Sequence, residues 1–135
     1  MTSTITPAVW YARIFGIVLT LAGIAGLAVI TDQNSVQQLA GLDINLTHNI
    51  VHLLTGVLGL VAGFAVLTSA RYYALVLGIV YAGLGLWGVI VGDGFNPFGL
   101  FENINMADNV LHLVIGIVGL GAWAMSRTEV RQTTV

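Results

Sequence analysis

Three histidines, His48, His52 and His112, are the chain's whole imidazole complement. They stand in two matching stretches, LTHNIVHLLTG (46–56) and MADNVLHLVIG (106–116), where Asn, His, Leu and Gly recur in register. His48 and His52 are spaced i, i+4, and so are Asp108 and His112. On a helix that spacing puts both members of a pair on one face, roughly 6 Å apart at Cβ. Three imidazoles and one carboxylate are a tetrahedral ligand set for Zn²⁺, and they also suit Fe²⁺ or Cu²⁺. His48, His52, Asp108 and His112 are therefore the candidate metal ligands. Asn49 and Asn109, three residues before His52 and His112, are candidates for outer partners that hold those ligands.

Other chemistries fit the same residues. His52 and His112, on facing helices with glycines beneath them, could hold a b-type haem, as paired histidines do in helical bundles. The cluster could also be a polar pocket open to the outside, taking a small ligand or a lipid headgroup under a lid of loops. The plainest alternative is structural: Asn49 and Asn109 cap helices or bond across to neighbours, while the histidines donate to carbonyls or to Asp108. Polar side chains hold membrane helices together for about 0.6–2 kcal/mol each, and HxxxH spacing is common by chance. Covalent catalysis finds no support. No Ser or Cys sits by a His in a nucleophile pattern, the HExxH signature is missing, and Thr47 beside His48 reads better as a helix cap.

The elements that carry these residues follow from composition. The chain has 135 residues, enough for one domain over 1–135, of which 57% are hydrophobic and 7% charged. A soluble domain carries about 25% charged residues, so a mean hydropathy of +0.94 marks an integral membrane protein. With no Cys, thiolate metal sites and disulfides are excluded. A net charge of −2 without a basic patch argues against nucleic acid as a partner. Four apolar runs, at about 10–30, 50–68, 73–91 and 110–125, each approach the ~20 residues needed to cross the hydrocarbon as a helix.

The runs pair as repeats. YARIFGIVLTLAGIAG (11–26) aligns with YALVLGIVYAGLGLWG (73–88), and NIVHLLTGVLGL (49–60) with NVLHLVIGIVGL (109–120). Repeat one covers about 10–69 and repeat two about 72–126. The expected fold is all-α: a four-helix bundle of two tandem transmembrane hairpins, related by a pseudo-two-fold axis along the membrane normal. That axis should gather His48, His52, Asp108, His112, Asn49 and Asn109 about one turn inside one membrane surface. Arg13, Arg71, Arg127 and Arg131 all fall on the other side of this topology, which places both termini in the cytoplasm. Asp32, Asp43, Asp93, Glu102 and Asp108 fall on the external side, where Phe95, Phe98 and Phe101 are expected at the membrane interface.

Glycines line the helices. Gly16, Gly23 and Gly26 match Gly78, Gly85 and Gly88, and each set keeps to one face. Gly56, Gly59 and Gly63, with Gly116 and Gly119, share a stripe with the histidines, within about 40° of one line. Close helix packing is the first expectation; space for a flat cofactor or a lipid tail is the second. Self-association through these faces is expected, as a homo-oligomer or within a larger membrane complex.

The whole arrangement resembles an uncharacterised bacterial membrane-protein family, domain of unknown function 4383. The resemblance rests on YARIFGIV, HNIVHLLTG and ADNVLHLVIG and covers roughly residues 10 to 126. It implies a four-span protein of the bacterial cytoplasmic membrane and implies no activity. The sequence thus reads first as a structural or accessory membrane protein with an outward-facing polar cluster. Metal or haem binding at that cluster is the alternative, and enzymatic activity is not expected.

Overall fold

The computed structural model describes residues 5–32 and 35–126. Arg127 and Arg131, half of the basic residues behind the orientation expected above, lie outside the described residues. The chain forms α1 (Pro7–Val29), a short hairpin of β1 (Gln37–Leu39) and β2 (Leu42–Ile44), then α2 (Leu46–Leu60). α2 runs on through a π-helical turn at Val61–Ala65 and a 3₁₀ turn at Leu67–Ser69 into α3 (Ala70–Val91). A loop with one 3₁₀ turn at Pro97–Gly99 leads to α4 (Met106–Met125). Four helical segments are long and apolar enough to cross a membrane. Their outward faces carry exposed Leu21, Leu54, Leu58, Val76, Ile79 and Ile90, an amount of bare apolar surface that water does not tolerate but lipid does.

α2 and α4 begin earlier than hydropathy suggests, because polar residues start them. Asn45 Oδ1 accepts the His48 N–H at 2.8 Å, and Asn105 Oδ1 accepts the Asp108 N–H at 3.0 Å. Each asparagine satisfies a backbone donor that the first helical turn would leave without a partner. The caps are thus Asn45 and Asn105, not Asn49, Asn109 or Thr47. This moves His48 and Asp108 into the first turns of their helices.

α1 packs along α2, and α3 along α4. The glycine stripes are consumed in these contacts. A Cβ on Gly23 would stand 2.6 Å from Leu53 N, and one on Gly85 would stand 2.7 Å from Asn109 O. Asn49 and Asn109 fill the places where Gly26 and Gly88 lack side chains. The stripes therefore bring backbones together and admit the side chains of Asn49, Asn109, Tyr11 and Tyr73; they do not clear room for a flat cofactor.

The two helix pairs meet chiefly through α1, which touches both α3 and α4, and to a smaller extent where α3 touches α2. Tyr11 OH donates to Ile115 O at 3.2 Å, and Tyr73 OH donates to Thr55 O at 3.2 Å. The shared core is built of small residues and a few large ones: Ala8, Ala12, Ala70, Ala74, Leu77 and Ile115 are buried. Ser126 Oγ accepts the Ala8 N–H at 2.8 Å and donates to Ala122 O at 2.7 Å, which ties the end of α4 to the start of α1.

Arg13 lies inside α1 rather than before it, and its Nε donates to Gly63 O at 2.8 Å in the π-helical turn that follows α2. Arg71 Nε reaches Trp123 O at 3.5 Å near the end of α4. Both cations sit at helix C-termini, where the helix dipole is negative. The opposite end carries the connecting segments. β1 and β2 pair antiparallel through Ala40 and Gly41, both at positive φ, as a tight two-residue hairpin turn requires. Phe95 and Ile104 form an isolated bridge in the second connection. Phe95 is buried against Trp87, at 5.1 Å between ring centroids, so only Phe98 of the expected interfacial phenylalanines is strongly exposed.

Candidate functional site

The N-terminal turns of α2 and α4 send their imidazoles into one space beneath the two connecting segments. His48 sits in the first turn of α2 with His52 one turn on; His112 sits in the second turn of α4. Ring centroids are 4.3 Å apart for His48 and His52, 5.5 Å for His48 and His112, and 6.0 Å for His52 and His112. One ring nitrogen from each lies within 4.8 Å of the other two. Nitrogens bound at 2.0–2.1 Å around a tetrahedral metal stand about 3.3 Å apart, so a small closure of these rings completes such a triangle. His48 and His112 are buried and His52 is partly so.

Two of the rings present a nitrogen that nothing satisfies: among the described residues, His48 Nε2 and His52 Nε2 are buried without a hydrogen-bond partner. Polar atoms are rarely left that way, because desolvating them without a partner costs about 1–3 kcal/mol each. His48 is oriented by its other nitrogen. Nδ1 lies 3.2 Å from Asp43 O, and with the proton on Nδ1 this bond leaves the Nε2 lone pair aimed into the cluster.

Asp108 does not join the imidazoles. Its Oδ2 accepts the Asp43 N–H at 2.8 Å. The carboxylate therefore holds the Asp43 peptide, and that peptide's residue holds His48 through its carbonyl. Metal-binding histidines are commonly fixed in this manner. Asn49 and Asn109 stand apart from the rings in their glycine sockets, so the expected six-residue cluster resolves into three imidazoles, one carboxylate acting through Asp43, and two asparagines between helices. Asn49 Nδ2 and both polar atoms of the Asn109 amide lack partners among the described residues.

Sequence reasoning passed over Asp43, Asn45, Asn105 and Tyr81. Besides capping α2, Asn45 donates from Nδ2 to Phe101 O and, at 3.2 Å, to Glu102 O. Asn105 caps α4 and donates from Nδ2 to Gly41 O at 3.0 Å. Each cap thus anchors the connecting segment of the other half over the imidazoles. The signal was present: Ile-Asn recurs at 44–45 and 104–105, just ahead of both motifs. Tyr81, from α3, lays its ring edge-on to His112 at 5.0 Å.

The imidazoles form the wall between two cavities. A larger one of about 400 Å³ lies between α2 and α3 beneath Pro97, Phe98, Phe101 and Ile104. A smaller one of about 150 Å³ lies on the α1 side and reaches Asn49 and Asp108. His48, His52 and His112 border both. A metal held by the three nitrogens would have its remaining coordination position free for a ligand from one of these spaces.

No curated protein and no solved structure matches the chain. The family model for DUF4383, a domain of unknown function, matches residues 9–125. That match covers all four helical segments but for the first two residues of α1 and includes all three histidines, and the chain belongs to this family.

Proposed function

We propose that this small multi-pass membrane protein binds a divalent metal ion, Zn²⁺ before Fe²⁺ or Cu²⁺, through His48, His52 and His112. The observation that carries the proposal is the convergence of three ring nitrogens within 4.8 Å, two of them buried without another partner. Three neutral nitrogen ligands and one free position are the composition of catalytic rather than closed structural zinc sites. Asp108 serves as an outer partner. Haem between His52 and His112 is disfavoured, because His48 stands within 4.3 and 5.5 Å of those two rings, where the macrocycle would lie.

We place the protein in the bacterial cytoplasmic membrane as a tandem repeat of two hairpins about a pseudo-two-fold axis, with both termini cytoplasmic. The matched bonds of Tyr11 and Tyr73, the matched caps and the matched asparagine sockets support the repeat. Arg13 and Arg71 at one end support the orientation. Assembly with copies of itself belongs to the same proposal; a monomeric mass in several mild detergents would overturn it.

The test is metal content in protein purified in mild detergent without chelator or histidine tag. About one equivalent per chain is expected, lost in His112→Ala and His52→Asn while the helical circular dichroism persists. A metal-free protein that also refuses added Zn²⁺ would make the imidazoles structural.

A further inference from the structure

We infer that the larger cavity is the chain site of a membrane-borne, single-chain carboxylate of the fatty-acid type, whose head completes the coordination of the metal. This rests on the metal proposal above and names the ligand that the site takes.

The rings of His48, His52, His112 and Tyr81 border the cavity's inner end. The rest of its lining is apolar, with Val51, Leu77, Leu84 and Ile104 among the walls. Val76 and Val80 line it and are also exposed on the outer face of α3, at 60% and 46%. The space therefore opens sideways toward the acyl chains of the bilayer. Its volume of about 400 Å³ falls within the range of small-molecule sites. A water-borne polar solute would meet an apolar route; an acyl chain entering from lipid would not.

Charge decides the head group. Three neutral imidazoles leave a bound divalent ion with its full positive charge inside a low-dielectric bundle, which is costly unless an anion accompanies it. No carboxylate of the described residues reaches the three ring nitrogens, since Asp108 is committed to Asp43. A carboxylate that arrives with the ligand supplies both the missing negative charge and the missing donor.

The experiment uses the full chain in lipid nanodiscs, loaded with Co²⁺ in place of Zn²⁺, whose visible bands report the fourth ligand. Palmitate is expected to shift those bands with saturation near one equivalent, and acetate to need a far higher total concentration. Val80→Trp, a substitution on the lipid-facing side that fills the cavity mouth, should leave the Co²⁺ spectrum intact and abolish the palmitate shift. Three results would overturn the inference with the metal site standing: palmitate leaves the bands unchanged, acetate acts at the same concentration as palmitate, or Val80→Trp responds like the parent. A protein that takes up no Co²⁺ removes the metal proposal itself, and the inference with it.

Discussion

At the scale of single residues, the feature that matters most is indirect. Asp108 looks like a ligand in sequence because it occupies the place of His48 in the second motif. The fold turns it instead to the Asp43 N–H, and Asp43 O faces His48 Nδ1. The carboxylate thus helps fix one imidazole through Asp43, and at the proposed metal site it would act as an outer partner. Asp108→Ala should weaken Zn²⁺ or Co²⁺ binding by about 10–100-fold without abolishing it, the usual cost of losing an outer partner. Asp108→Asn, which keeps an acceptor oxygen, should recover part of that loss. Metal titration followed by the Co²⁺ bands checks both. An Asp108→Ala protein with no measurable metal affinity would instead make the carboxylate a direct ligand.

At the scale of elements, the paired helices approach so closely that glycine is required where backbones face each other. Gly85 and Gly83 lie two residues apart on α3 yet meet different surroundings. A Cβ at Gly85 would press on Leu113 and Asn109 O, whereas one at Gly83 would meet nothing within 4 Å. Gly85→Ala should destabilise the protein by about 1–3 kcal/mol through overpacking. Gly83→Ala should be neutral or stabilising by up to about 1 kcal/mol, because alanine is the better helix former. Thermal unfolding of the two variants in one detergent separates these outcomes; equal losses would mean that α3 and α4 do not pack as described.

At the scale of the whole molecule, the proposed orientation places the Arg13 and Arg71 end in the cytoplasm and the two connecting segments outside. The chain contains no Cys, so single introduced thiols report cleanly. Leu100→Cys, on the exposed surface of the second connection, should react with an impermeant maleimide in intact cells. Thr68→Cys, between α2 and α3, should react only after the membrane is opened. The reverse pattern would invert the protein and put the imidazole end in the cytoplasm.

Length and hydropathy by themselves settle four apolar helices, because a run of about 20 residues without charge has one stable form in hydrocarbon. The spacing of His48, His52 and His112 at matching places in two motifs also singles out these residues, since helical periodicity links sequence distance to facing. Three things wait for tertiary structure. Helix starts do, because Asn45 and Asn105 cap through side-chain bonds that hydropathy does not register. The duty of Asp108 does, because its partner, Asp43, belongs to a different connection 65 residues away. The cavity beside the imidazoles does as well. It exists because α2 and α3, which frame it, touch each other little while α1 binds α2 and α4 binds α3. Which helices embrace and which stand apart depends on how two glycine-lined surfaces meet in space, and residue types along one chain do not carry that information.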